Sequence, residues 1–372
     1  MTPTSIELAQ TLIRTDTRNP PGNEQKCGQP LIQLLSQAGF NIKEHVFAPG
    51  RSNIIATKSG ERAGPALAFT GHLDTVPLGE KPWSVDPFGA TISGNKLYGR
   101  GASDMKAAVA AFVTAAIEET ASGKPHRDIV LVITAGEERG CEGALAMQDD
   151  GFTLPPIGGW IVAEPTVNQI ALGHKGAVFA FMRFAGQTAH SSKPHLGDNA
   201  VYKACECALR LRDLQFNVRH PVLGSPTSNV GLIEGGHAPN AVPDRASLHV
   251  DVRTVPGMDH TAVLDLLKSR GGDQAVLEVV HDLPPVWTDE DDDFVAFCRS
   301  CCTVEGVNPG PAQGASFFTD AAVLLQFAPA PVVVVGPGQP DQAHVTDEWC
   351  SLEDIEAATR IYRRFIGSFG AS

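Results

Sequence analysis

The chain has 372 residues, 42% hydrophobic and 19% charged, with a net charge of −13. That length exceeds the roughly 250–300 residues one hydrophobic core usually serves, so two domains are expected, and the composition is that of a globular rather than a disordered protein. The acidic balance, with no basic run and no aromatic-and-basic stripe, argues against a nucleic-acid partner, whose affinity comes mainly from Lys and Arg on phosphates.

No apolar run approaches the ~18 residues needed to cross a bilayer, so no membrane partner is expected. The N-terminal segment lacks a basic start followed by an apolar block and reads instead as a short helix with a capping box from Thr4 to Glu7. Ala-rich Ser103 to Glu119 reads as an amphipathic helix. Pro65 to Thr70, Ile129 to Ala135 and Gly159 to Ala163 read as buried strands, the second a continuous β-branched run covered on both faces. Helices alternating with buried strands predict an α/β layer with a mixed, largely parallel sheet.

The texture changes near Lys175. Strands are predicted over Ala177–Phe184, Ser228–Glu234, Ala246–Thr254 and Ala275–Asp282, with helices over Asp198–Leu214 and His260–Ser269. This β-α-β-β-α-β order predicts a ferredoxin-like sandwich. After Pro284-Pro285 the first style returns, with a helix around Phe294–Cys302, a strand over Pro331–Val335 and a closing helix over Ser351–Phe369. The expected organisation is 1–174 and 286–372 as one domain with 175–285 inserted into it.

Open α/β sheets present ligands at the carboxyl ends of their strands. Those ends carry His72 and Asp74, Glu137 and Glu138, and Glu164; Asp104 is placed at the start of the Ala-rich helix, and His344 follows the PVVVVGPG strand and turn. Singly, each is more often a helix cap, a solvated loop charge or a structural histidine; together they point to a metal centre. His72 and Asp74, two apart on an extended segment, would share a face, and a carboxylate beside a ligating imidazole fixes its tautomer. Adjacent Glu137 and Glu138 would repel without a cation, a cost that a metal removes. No G-x-S-x-G elbow, H-E-x-x-H or Walker A motif occurs. The eight cysteines, scattered or on apparent helices, fit reduced thiols in the cytoplasm. Cys298, Cys301 and Cys302 lack a second CxxC to complete a zinc site and read as buried helical thiols.

The segments GHLDTVP, LYGRGASDMKAA, AGEERGCEGA, AEPT and GPGQPDQAHVTDE resemble, in order and spacing, the two-zinc family of acetylornithine deacetylases, succinyl-diaminopimelate desuccinylases, aminoacylases and glutamate carboxypeptidases. The resemblance covers nearly the whole chain. It implies that Asp104 bridges two zinc ions, with His72 and Glu164 completing one site and Glu138 and His344 the other; carboxylate and imidazole ligands without thiolate suit zinc, with cobalt or manganese as possible substitutes. It further implies that Glu137 is the general base, that Asp74 orients His72, and that the inserted domain forms a homodimer. By the same resemblance His190 reaches the partner's active site, Asn240 and Arg253 hold the substrate, and Thr319 in FFTD belongs to a substrate-contacting loop. That loop departs from the cysteine- or glycine-containing versions usual in the family.

GRSNIIAT and GPGQPDQAHVTDE are most similar to acetylornithine deacetylases. The implied function is deacylation of a small N-acyl amino acid, N-acetylornithine in arginine biosynthesis. A desuccinylase, carboxypeptidase or aminoacylase of the same family is the alternative. A catalytically dead binding protein on this fold would announce itself by a lost base or ligand, and every matched position is intact.

Overall fold

The computed structural model describes residues 3–371, and these divide into two compact units. One comprises the chain up to Gly173 together with Trp287–Gln313 and the segment from Thr319 onward; the other comprises His174–Val286 with Gly314–Phe318. The short 314–318 segment thus groups with the smaller unit, whereas the sequence reading kept it in the larger.

The larger unit is built on a mixed sheet. Its strands run in the order Asn41–Ala48, Arg51–Lys58, Ile129–Thr134, Ala66–His72, Ile157–Val162, Val332–Val334 and Ala171–His174. The four strands from Ile129–Thr134 to Val332–Val334 are mutually parallel, and antiparallel strands flank them on both sides. Every residue of Ala66–His72 and of Ile129–Thr134 is buried, as befits strands covered on both faces. Each fully buried Val, Leu or Ile there contributes roughly 1.5–3 kcal/mol relative to an exposed one.

The Ala-rich helix runs from Lys106 to Ala121, and it is not amphipathic: Lys106 to Ile117 are all buried. It is packed by Ser5–Ile13, Leu352–Ser368 and the strand Ala66–His72. Alanine is small enough to let helices close in from several sides, so the residue choice reflects crowding rather than one apolar stripe. At the N-terminus, Thr4 and Glu7 form the expected capping box. Among the described residues all eight cysteines are free, and Cys298, Cys301 and Cys302 are buried on Asp293–Val304. No helix among them is long and apolar enough to cross a membrane.

The smaller unit is a four-stranded antiparallel sheet in the order Thr227–Gly235, Arg245–Thr254, Gly176–Ala185 and Ala275–Leu283. The helices Ala200–Arg212 and His260–Gly271 lie on one face, sealing Val178, Ala180, Met182, Leu248, Val250 and Val252. Alternate residues on Arg245–Thr254 are half-buried or exposed, the period-2 pattern of a sheet packed on one side.

Candidate metal centre

Parallel strands deliver their carboxyl ends to one edge of the sheet, which is why segments distant in the chain converge there. His72 is the last residue of Ala66–His72. Ile129–Thr134 runs into Gly136, whose φ of 78° lies in the left-handed region that glycine enters without strain; a 3₁₀ turn over Glu137–Arg139 follows. Ile157–Val162 leads to Glu164, and Val332–Val334 leads through the GPG turn to His344. Asp104 is not in the helix as expected but two residues before it, in an irregular turn that ends at Lys106.

Two groups of ligand-type atoms result: His72, Asp104 and Glu164, and Asp104, Glu138 and His344, with the atoms of each group within 4.8 Å of one another. Asp104 belongs to both. Its Oδ1 stands 3.2 Å from His72 Nε2 and its Oδ2 stands 3.3 Å from His344 Nε2. His72 Nε2 is also 3.7 Å from Glu164 Oε1, and His344 Nε2 is 3.0 Å from Glu138 Oε1. His72, Asp104 and Glu164 are buried, whereas the His344 side chain is 53% exposed, so the second group opens to solvent.

The strand ends at His72, so the extended spacing that would lay the Asp74 carboxylate along the ring stops there. The Asp74 carbonyl oxygen stands closest to His72 Nδ1, at 3.0 Å, with the carboxylate Oδ1 at 3.5 Å. The carboxylate mainly serves the neighbouring turn. Its Oδ1 accepts from the N–H of Gly136 at 2.8 Å and of Glu137 at 3.1 Å, and its Oδ2 accepts from Glu138 N–H at 3.2 Å and Asn19 Nδ2 at 2.8 Å. Asp74 therefore fixes the backbone that carries both glutamates.

The electrostatics are those of crowded carboxyls. Burial pushes Glu137 and Glu164 well above the usual carboxylate range, and Glu138 up as well; the charge of Asp104 adds to the rise at Glu138 and Glu164. Burial would also raise Asp104, but hydrogen bonds from His344 and His72 outweigh it and hold its carboxyl low. Burial would lower His72, but its hydrogen bond to Asp104 and the charge of Glu164 drive it well above its ordinary value. His344 is lifted to about 10 by its hydrogen bonds to Asp104 and Glu138. Protons on the imidazoles thus stand where cations would relieve the same repulsion. Carboxylate oxygens and imidazole nitrogens with no thiolate are a donor set suited to zinc and similar dications, so the residues fit a pair of metal ions.

The remaining expected site residues fall in both units. Thr319 is fully buried, and its Oγ1 accepts from Ala321 N–H at 3.2 Å at the start of a short helix. In the smaller unit, His190 bridges to Ala241, and Ser191 N–H donates to the Asn240 carbonyl at 3.0 Å, so the His190 and Asn240 loops lie side by side and both residues are exposed. Arg253 pairs with Asp251 at 2.9 Å and lies over the rings of Phe179 and Phe318.

Three buried groups beside the site escaped the sequence reading. Asp320 has its Oδ2 2.5 Å from Thr134 Oγ1 and is pushed up to about 6 by burial. Glu348 and Arg100 form a buried ion pair at 2.7 Å. All three sit inside or beside quoted motifs (FFTD, HVTDE, LYGRG), and that adjacency was the available signal.

A model of the peptidase family M20/M25/M40 matches residues 68–368. Acetylornithine deacetylase of Vibrio cholerae serotype O1 is 32% identical, over 97% of each chain. That of Proteus mirabilis is 31% identical, over 99% of this chain and 97% of its own. Among solved structures, an M20-family metallo-carboxypeptidase from Sulfolobus solfataricus superposes with a TM-score of 0.83 at 18% identity, over 98% of this chain and 99% of its own. An aminopeptidase from Bacillus cereus superposes with a TM-score of 0.77 at 21% identity, over 98% and 97%. With a family model covering most of its length and full-length relatives above 30% identity, the chain belongs to the peptidase family M20/M25/M40.

Proposed function

We propose that this protein is a cytoplasmic two-zinc amidohydrolase that removes the acyl group from an N-acyl amino acid, with N-acetylornithine as substrate and arginine biosynthesis as its setting. The observation that carries the reading is Asp104, whose two carboxylate oxygens face His72 and His344 at 3.2 and 3.3 Å. His72 and Glu164 would hold one ion and Glu138 and His344 the other, with Asp104 shared and cobalt or manganese as possible substitutes. When bound, such a pair supplies Lewis-acid polarisation of the amide carbonyl and acidifies water.

Glu137 is the general base in this reading. It is buried, its carboxyl is raised by that burial, and its backbone is fixed by Asp74. It takes the proton of the attacking water and returns it to the leaving nitrogen. The free carboxylate of the substrate pairs with Arg253, with Asn240 and the Thr319 loop as further contacts. His190 donates to the developing oxyanion in the partner subunit's site, a type of contribution worth roughly 3–4 kcal/mol in other hydrolases.

The homodimer forms through the smaller unit. In support, that unit exposes Tyr202, Leu209, Leu232, Ile233 and Val276, each more than half accessible, and its sheet leaves Thr227–Gly235 and Ala275–Leu283 as edges open to pairing. The N-acetylornithine assignment draws its support from relatives named acetylornithine deacetylase at 30–32% identity.

A deacylation screen of N-acetyl-, N-succinyl- and other N-acyl amino acids, with zinc or cobalt added, tests the activity. N-acetylornithine should give the highest kcat/KM, and absence of hydrolysis from every substrate by metal-loaded protein would reject the reading. Light scattering should give a dimer. Mixing His190→Ala with Glu137→Gln protein should restore turnover if His190 acts across the interface; verified subunit exchange without recovery rejects the trans role.

A further inference from the structure

The turn that carries Asp104 has no helix or strand to satisfy its backbone. Its N–H groups are buried, and buried N–H groups must find partners. They find them on one side chain, Glu348, which is itself fully buried. Oε1 of Glu348 accepts from Ser103 N–H at 2.8 Å and from Asp104 N–H at 3.0 Å. Oε2 accepts from Gly101 N–H at 3.0 Å and from Arg100 Nη1 at 2.7 Å. Four donors converge on one carboxylate, close to the full capacity of its lone pairs.

The same stretch of chain is stitched on further. Gly99 N–H donates to the Glu348 carbonyl at 2.9 Å, and Ser103 Oγ donates to the Trp349 carbonyl at 2.8 Å. Arg100, 1% exposed, donates a second time to the Pro77 carbonyl at 3.1 Å and lies over the ring of Trp83. His344 lies only four residues before Glu348 on the same segment.

We propose that Glu348, aligned by Arg100, is a positioning residue for the metal centre: it sets the Gly101–Asp104 backbone so that the two oxygens of Asp104 face two different ions, and it ties that turn to the segment bearing His344. A shared carboxylate needs a defined backbone as well as a defined rotamer, because each of its oxygens has its own target. Only a carboxylate can accept all four of these bonds, since a glutamine offers one accepting oxygen and an amide that must itself donate. The inference rests on Asp104 being the shared ligand.

The test measures zinc and cobalt dissociation constants by chelator competition on folded protein, together with the visible absorption of the cobalt form and the unfolding temperature of the metal-free form. Wild type, Glu348→Gln, Glu348→Asp and Arg100→Lys are compared, with Glu119→Gln as control. Glu119 is likewise a buried carboxylate paired with an arginine, Arg363, but it lies at the other end of the Ala-rich helix. Glu348→Gln should weaken metal binding by roughly 10–100-fold, the usual cost of losing a partner that orients a ligand, and should alter the cobalt spectrum. Glu348→Asp should recover part of the affinity. Arg100→Lys, the milder change if Glu348→Gln folds poorly, should weaken binding severalfold. Glu119→Gln should change the unfolding temperature without changing either constant. Wild-type affinity and an unchanged cobalt spectrum in Glu348→Gln and Arg100→Lys would overturn the proposal even if both variants were less stable. A wild-type chain that takes up no pair of ions would instead remove the two-metal reading itself, so the two failures are distinguishable.

Discussion

Two irregular turns carry three of the acidic groups at the candidate site, and both are cradled by a buried carboxylate from elsewhere in the chain. Glu348 holds the turn of Asp104, and Asp74 holds the turn of Glu137 and Glu138. Each accepts three backbone N–H bonds. They differ in how the cradle's own charge is balanced. Glu348 touches a guanidinium, Arg100, directly. Asp74 touches the amide of Asn19, which also reaches Glu24 at 3.2 Å, and stands 3.5 Å from His72 Nδ1, while the guanidinium of Arg51 lies one step further out, paired with Glu24 and Glu142. The Asp104 turn, which presents the proposed shared ligand, is pinned by a carboxylate with a guanidinium in contact. The 136–138 turn, which presents a proposed ligand and the proposed base, is pinned by a carboxylate with no guanidinium in contact.

The largest expected effect breaks the comparison at the base. Glu137→Gln should lower kcat by roughly 10²–10⁴-fold while metal content stays at the wild-type value. Asp104→Asn should lose metal first. Elemental analysis beside steady-state kinetics separates the two, and near-normal kcat in Glu137→Gln would remove it as the base.

The balance of charge is tested next, by urea unfolding of metal-free protein. Arg100→Met strands Glu348 without its cation and should cost about 3–5 kcal/mol, the usual penalty for breaking one side of a buried pair. Arg51→Met should cost less, about 1–3 kcal/mol. Glu24 keeps Asn19 Nδ2 and the Asn23 N–H, and Glu142 keeps Arg139. Equal losses would erase the distinction between the two cradles.

A smaller perturbation acts on the Asp104 turn alone. A Cβ on Gly338 would lie 2.2 Å from the Ser103 carbonyl oxygen and 2.7 Å from Pro165 Cβ. Gly338→Ala should therefore cost about 1–3 kcal/mol by overpacking and displace Asp104 more than Glu137. Weaker metal binding, with the remaining metal-loaded fraction turning over normally, is the outcome to look for.

The last expected effect concerns pH. His344 is raised to about 10 in the metal-free protein by Asp104 and Glu138. The stability from that imidazolium is fully present below the unfolded histidine value near 6.5 and is lost as pH rises through the folded one. An ion held by His344 must displace that proton, and an ion held by His72 must displace another, so affinity for each ion should rise about tenfold per pH unit between pH 7 and 9. Calorimetry in buffers of different ionisation enthalpy reads the protons directly, and a His344→Ala variant that releases as many protons on binding metal as wild type would show that His344 does not ligate.

Much of this molecule is legible in the chain because its signals are local. The β-branched run over Ile129–Ala135 reads as a strand covered on both faces, and Ile129–Thr134 is one. The candidate ligands were legible because strand ends in parallel sheets have one chemical address and because their motifs are distinctive in combination. Less legible was anything that depends on which distant segment comes near. The Ala-rich helix reads as amphipathic by composition, but the helices Ser5–Ile13 and Leu352–Ser368 together with the strand Ala66–His72 bury it all round.

Residue types and their order along the chain determined the α/β unit, the inserted β-α-β-β-α-β unit and the set of groups able to ligate metal, because hydrophobic period and strand-end position are properties of neighbouring residues. Tertiary structure alone decided that Asp74 serves a turn 62 to 64 residues away, that Glu348 serves one 244 to 247 residues away, and that Asp104 turns one oxygen to each histidine. Those contacts satisfy buried N–H groups and buried charges, and such needs arise only once packing has excluded water.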